Sequence, residues 1–332
     1  MAIQTAAQNT YQAVGIREDL TSIVSLIDPQ ETPFISNIGN GKPATAVKHE
    51  WQVQTLTAPN KSNFQLEGDD TPAATTAVAR SRIYNYCAIS RKVGSVTGTM
   101  RAVDVAGIED EYDNQEMLKA IELRRDMEVI VLDNNKYETG GTATVRECAG
   151  FAAYITNTDF TGAQNFTAAN GDGASAWNLA ATTARTLSLT ILNGAVQAAH
   201  IDGGKPNLLM LSPTQRTAFS NLTLQSSLGG AAQVRYNTSA VKPMALIGTV
   251  DTWLSNFGQL DVASNVQMAS DSGFENITAY MVDTRHAGLS YLRRMSSEPL
   301  AKTGDADKFQ ILAEYTLEVD APQAHAALFA LS

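Results

Sequence analysis

Signatures of catalysis are scarce in this 332-residue sequence, and each absence closes a class of function. No GxSxG elbow occurs, so the local mark of an α/β-hydrolase nucleophile is missing. His49-Glu50 has no second histidine four residues after the first, which rules out a zinc-protease helix. Gly41-Lys42 and Gly204-Lys205 each resemble the end of a phosphate loop. Pro43 and Pro206 stand where Ser or Thr would hold magnesium, however, and the upstream glycine is absent. The four histidines, His49, His200, His286 and His325, are dispersed and read as surface or packed structural residues. Asp69-Asp70 and Asp305/Asp307 read as solvated loop carboxylates rather than an acid–base pair. No catalytic residue, cofactor or metal site is expected.

Cysteine is nearly absent. Cys87 and Cys148 lie far apart without a CxxC partner, so they signal neither a disulfide framework nor a zinc site and read as small buried side chains. No basic run appears, and the formal charge is -10 with a pI near 4.9. A protein whose chief work is to grip phosphates runs on Lys and Arg clusters, so nucleic acid is expected only as a contained neighbour, without sequence-specific binding. No stretch approaches the eighteen or so apolar residues of a membrane span, and the opening MAIQTAAQNTYQ lacks a basic region followed by an apolar core. A cytosol-like compartment follows, in which Asn60-Lys61-Ser62 carries no meaning as a glycosylation site. The NGDG at 170–173 lacks the carboxylate spacing and terminal Glu of a calcium loop.

What is present is organised around one long helix, expected from Asp104 to Asp133. Ile108, Tyr112, Leu118, Ile121, Val129 and Leu132 recur on one side of a 3.6-residue turn. Glu109, Asp110, Glu111, Asp113 and Glu116 precede Lys119, Arg124 and Arg125, an order that suits the helix dipole. Asp104 or Gly107 is the expected cap, and Ile108 to Asp133 would span roughly 39 Å. No second helix of that length exists to make a bundle, so this one must cross a sheet.

Around it the chain reads in order. Residues 1–15 form an extended arm, and Leu20, Ile23, Val24 and Ile27 a short helix. DPQETPFISNIG gives a proline-fixed corner and a further helical turn burying Phe34 and Ile35. Lys48–Leu56 alternates as a strand, with Trp51, Val53 and Thr55 on one face, and Ile83–Val93 is a second strand. Between them Thr57–Ala79 is polar, carries Pro59 and Pro72, and is far longer than the usual loop of about 4 to 6 residues. We read it as part of a two-stranded arm projecting onto a neighbouring subunit. After the long helix come a turn at 137–141, an apolar segment at 148–155 and a Gly- and Asn-rich loop at 160–177. An amphipathic helix at 187–201 (Leu187, Ile191, Ala195, Ala198) follows, then a strand at 207–211. Ser212, Pro213 and Gln215 compose a capping box. Further strands are expected at 245–253, 259–262, 278–283, 289–295 and 309–319, the last with alternating Phe309, Ile311, Ala313, Tyr315, Leu317 and Val319.

This order of elements resembles the α+β fold of tailed-phage major capsid proteins, the Hong Kong 97 phage fold. More narrowly, DLTSIVSLIDPQETPFISNIG, VGSVTGT, KAIELRRDMEVIVL and KTGDADKFQILAEYTLEV resemble motifs of the phage SU-ten-like major capsid family. The resemblance covers most of the chain and implies five parts. These are an arm with short helices at 1–40, an E-loop hairpin at 41–95, a P-domain with spine helix at 96–150, an A-domain at 151–288 and returning P-domain strands at 289–332. It further implies hexamers and pentamers of this chain forming an icosahedral shell, the virion capsid, around packaged double-stranded DNA and assembled in the bacterial cytoplasm. A separate scaffolding protein is expected because the sequence opens directly on the arm, with a portal and a cement protein as further partners. Candidate inter-subunit contacts are Tyr11, Trp51, Asn60, Lys61, Phe64, Leu66, Asp69 and Asp70. Lys61 also invites the covalent crosslink known in the founding member of the fold, though no partner for it can be named. The rival readings are an encapsulin-like nanocompartment shell and a hydrolase whose dispersed residues converge only in three dimensions.

Overall fold

A carboxylate sets where the long helix begins. In the computed structural model, which describes residues 28–70, 77–103, 105, 107–158, 170–177, 184–224, 251–269, 277–302 and 304–331, helix α3 runs Glu111–Leu132. Asp110 is extended and its Oδ1 accepts the Tyr112 N–H at 2.8 Å, satisfying one of the amides that a helix start leaves without a partner. The expected start is therefore corrected. Gly107 sits in a turn at φ 84°, outside the helix, and Asp104 lies outside the described residues. The 22 residues of α3 span about 33 Å.

The face that α3 buries is also corrected. Leu123, Met127, Val131 and Leu132 point into the core, with Tyr112, Ala120 and Ile130 packed against it; of the expected stripe only Leu132 is fully buried, while Ile108, Tyr112, Leu118, Ile121 and Val129 are half-buried. Apolar residues surround this helix on every side, so periodicity alone selects no face. The selection is made by what lies beneath. Strands β3 (Ala88–Thr97), β10 (Ala306–Val319) and β9 (Ala287–Leu300) form an antiparallel sheet in the order β3-β10-β9, and α3 crosses it. On β10 the expected inward residues Phe309, Ile311, Ala313, Tyr315, Leu317 and Val319 are all buried, and beyond Ala313 the other face is buried as well, at Glu314, Thr316 and Glu318. Gly94 of β3 lies opposite Phe309, where an added Cβ would come within 2.1 Å of the ring. Only glycine leaves room for that ring, which also meets Tyr112 at 5.0 Å.

The single strand expected at 83–93 is in fact two. Strands β1 (Lys48–Val53) and β2 (Ser81–Tyr86) pair with each other, with Trp51 opposite Ile83. At Cys87 the chain leaves that pair, donating its amide to Val47 O at 2.9 Å, and continues as β3 in the other sheet. Both cysteines are buried, and burial pushes the thiols up to about 11 at Cys87 and about 12 at Cys148.

A second layer follows α3. Strands β4 (Asn157–Thr158), β5 (Leu208–Leu211), β6 (Thr252–Ser255), β7 (Gly258–Ser264), β8 (Ala279–Val282) and β11 (Ala326–Leu328) form a mixed sheet in the order β4-β11-β8-β5-β7-β6. Its central strands are buried on both faces, so alternate residues serve different cores. Leu208, Met210, Tyr280 and Val282 join the core of α3. Leu209, Leu211, Ala279 and Met281 pack with Leu192, Ala195, Val196 and Ala199 of α4 (Leu189–Ile201). Helix α5 (Pro213–Leu224) opens as its sequence dictates, with Ser212 Oγ accepting the Gln215 N–H at 3.3 Å. The chain end departs from the expected partition. Residues 326–328 leave the three-stranded sheet and enter this one beside β8, a long-range pairing that no local pattern announces.

Candidate functional site

The segment joining β1 to β2 stands clear of the rest of the described structure. Every described residue from 54 to 70 is exposed, including three large apolar side chains, Leu56, Phe64 and Leu66, at 96, 85 and 81%. Its internal bonds are short-range. Asn60 accepts the Ser62 N–H at 3.0 Å, Ser62 O the Phe64 N–H at 2.9 Å, and Leu66 O the Asp69 N–H at 3.2 Å, with Gly68 at φ 88° supplying the turn. Exposed apolar residues on a protruding loop lose nothing in the monomer when removed and gain only when another surface covers them. Of the contact candidates, Asn60, Lys61, Phe64, Leu66, Asp69 and Asp70 thus share one exposed loop, whereas Tyr11 lies outside the described residues. Trp51 does not share it. The indole is 6% exposed and 5.9 Å from the Tyr154 ring, so it is a core side chain at the root of the hairpin.

That root is fixed by buried polar groups. Asn85 on β2 donates to Leu317 O at 2.9 Å and accepts the Ala149 N–H at 2.8 Å, tying the hairpin to both layers. On the neighbouring flank the Glu318 carboxylate on β10 receives three donors on one oxygen: Ser290 Oγ at 3.0 Å, the Lys42 N–H at 3.0 Å and His49 Nε2 at 3.2 Å. Burial pushes its pKa up, but the bonds from His49, Ser290 and the Lys42 amide outweigh burial and hold it down, at about 2. Gly41 allows this close approach, because a Cβ there would meet Ser290 Oγ at 2.5 Å.

This convergence of Ser, His and Glu bears on the hydrolase reading. The carboxylate lies between the other two, accepting from both, so His49 takes no proton from Ser290 and the serine, itself fully buried, is not activated. The same geometry explains the Gly-Lys dipeptides. Lys42 gives its amide to Glu318, and Lys205 gives its amide to Asp283 at 3.1 Å. A carboxylate of the chain itself occupies the place where a phosphate loop would hold its ligand. Asp283 further binds Arg285 at 2.5 Å, and its amide donates to His325 Nδ1 at 3.1 Å. Burial pushes His325 down to about 4, which keeps that imidazole neutral. The pair Asp305/Asp307, expected in a loop and solvated, is neither throughout, for Asp307 lies on β10 and pairs with Lys302 at 2.5 Å and Arg101 at 2.9 Å. In the NGDG turn Asp172 accepts the Ala174 N–H at 3.0 Å. Among the described residues no cluster of His, Cys, Asp and Glu is arranged to hold a metal, and no helix is long and apolar enough to cross a membrane.

The key polar residues missed in the sequence are Glu128, Asp283 and Glu318. Glu128 is fully buried on α3 and accepts the Phe34 N–H at 2.7 Å, the Ile35 N–H at 2.9 Å and Asn265 Nδ2 at 2.7 Å. It thereby caps the short helix α1 (Pro33–Ile38) and joins it to both layers. The sequence motifs meet in pairs. PFISNI meets MEVIVL through Glu128, and VGSVTGT meets KFQILAEYTLEV through Gly94 and Phe309.

A family model described as SU10 major capsid protein matches residues 3–332. The chain belongs to that family. No curated protein sequence matches it. Among solved structures, the cyanophage A-1(L) capsid is similar with a TM-score of 0.63 at 10% identity, over 97% of this chain and 98% of that one. A structure from Gordonia phage Cozz gives 0.62 at 12%, over 100% and 98%. The holo-SrpI encapsulin complex from Synechococcus elongatus gives 0.59 at 10%, over 98% and 96%. The capsid protein therefore has the Hong Kong 97-type α+β fold and forms the shell of a phage virion.

Proposed function

We propose that this capsid protein closes an icosahedral shell around a double-stranded DNA genome, and that the hairpin at 41–95 is the E-loop, whose exposed segment each copy lays over its neighbour. The observation that carries the reading is the loop itself. Its apolar side chains, Leu56, Phe64 and Leu66, are held away from their own core on a root that Asn85 and Glu318 tie down, so the surface they complement belongs to another copy. The three-stranded sheet with α3 is the P-domain, and the six-stranded layer with α4 and α5 is the A-domain. The acidic balance suits a container that encloses DNA without gripping it. Hexamers and pentamers, a scaffolding protein, a portal, a cement protein and assembly in the host cytoplasm complete the reading, in which the protein has no enzymatic role.

A second reading, a cellular nanocompartment, draws its support from the likeness to the SrpI encapsulin complex. Electron microscopy of the protein expressed alone and with its neighbouring genes separates the readings. Closed shells that fill with DNA when the neighbouring genes are present support the phage capsid, closed shells that take up protein instead support the compartment, and a small monodisperse species under both conditions overturns both.

A further inference from the structure

The side of α3 that carries Arg124 and Glu128 is covered by α1, with Arg124 bonded to Thr32 Oγ1 at 2.9 Å and to Ser36 at 3.1 Å and Glu128 accepting the amides of Phe34 and Ile35. The same side continues N-terminally as Ala120, Met117, Glu116 and Asp113, where Ala120 and Glu116 are half-buried and Met117 and Asp113 exposed. Strand β9 shows the same break. Gly41 and Ala44 donate to Leu289 O and Tyr291 O, so the segment after α1 lines the first part of the β9 edge, while residues beyond, from 293, are mostly exposed. What remains is a hollow of about 460 Å³ floored by Met117, Ala120, Met295 and Ile311. It runs into a second of about 560 Å³ that shares Asp113 and Met117 and adds Ile108 and Glu109. Met117 is 56% exposed at the junction.

We infer that this groove receives a basic amphipathic helix from a different polypeptide, its apolar side on the two methionines and its Lys or Arg side on the carboxylates of Glu109, Asp113 and Glu116. Helix-in-groove recognition needs an apolar floor about as wide as one helix face, and methionine adapts its shape to what it meets. The acidic rim supplies the charge selection, since no ion pair to Glu109, Asp113 or Glu116 forms among the described residues. Asp110, at the end of the groove, is already held by Arg101. Neither the N-terminal segment nor the exposed loop of a second copy supplies a basic helix. Its first 27 residues contain one basic side chain, Arg17, beside Glu18 and Asp19, and the loop at 54–70 carries Glu67, Asp69 and Asp70 against Lys61. The inference rests on the shell reading, within which such a partner is one that assembles with the capsid protein.

The test uses the purified full-length protein and a synthetic amphipathic helix of Leu and Lys, titrated by fluorescence anisotropy. Binding is expected to weaken about tenfold in the Asp113→Asn/Glu116→Gln protein and separately in Met117→Ser. It should stay unchanged in Asp202→Asn/Asp261→Asn, which removes the same charge from exposed positions elsewhere, and be lost when Glu replaces Lys in the peptide. Equal weakening by the two charge pairs, or none by the first, overturns the groove. Electron microscopy of shells formed by the same variants reports on the capsid reading independently of the peptide.

Discussion

Glu128 Oε1 accepts the backbone N–H of Phe34 at 2.7 Å across 94 residues of sequence, inside the core. The partner oxygen takes the next amide, Ile35, at 2.9 Å, so one carboxylate closes the start of α1. Glu128→Ala should leave three buried donors without an acceptor and cost about 3 kcal/mol or more. Glu128→Gln places an NH2 group against one of those donors and should cost about 1–3 kcal/mol. Denaturant unfolding of both variants checks the order, and an unaffected Ala variant would refute the role given to this residue.

Acid should act on Glu318. Its folded pKa lies below the unfolded one, so its contribution to stability is present above the ordinary glutamate range and is lost as the pH falls toward about 2. The wild-type protein should therefore lose stability more steeply than Glu318→Gln as the pH drops below about 4.5. Thermal midpoints of the two proteins across that range are the measurement; parallel curves contradict the assignment.

Gly94→Ala should destabilise by about 1–3 kcal/mol through overpacking against the Phe309 ring. Adding Phe309→Leu opens space for the new methyl, so the double variant should be more stable than the sum of the two single changes. Strict additivity in a double-mutant cycle would show that the two residues do not meet as described.

The loop separates folding from assembly. Phe64→Ser and Leu66→Ser change fully wet side chains and should leave unfolding of the subunit within about 0.5 kcal/mol of wild type. Shells built from them, or from a chain lacking residues 60–71, should dissociate at lower denaturant. Light scattering during a denaturant titration follows this, and shells as durable as wild type would remove the loop from the interface.

Where a signal is local, the sequence carries it. Ser212-Pro213 starts α5, the apolar alternation from Phe309 to Val319 is a strand whose apolar face is buried, and Phe34 and Ile35 are core residues, each because a cap, a period or a proline acts within a few positions. The misreadings share a cause at longer range. The buried face of α3 is chosen by a sheet and by α1, distant in sequence, and a glutamate at its centre reads as surface until the two amides it receives are in place. Cys87 divides one apparent strand between two sheets, and residues 326–328 change layers, because distant pairing partners decide both, β10 for β3 and β8 and β4 for β11. At the candidate site the polar loop was legible as a loop. Trp51 was misplaced because alternation reveals which residues share a face and not what that face meets.

If the loop is the contact proposed for it, a subunit that carries its apolar residues out beyond the reach of its own core is both donor and recipient in such contacts. Any unfinished shell then has a rim along which Phe64 and Leu66 stay wet and receiving surfaces stay bare, so arriving copies are captured at the rim in preference to open solution. On the proposed reading only closure leaves no such rim, and the stopping rule of the assembly would be carried by seventeen exposed residues, 54 to 70, of each chain.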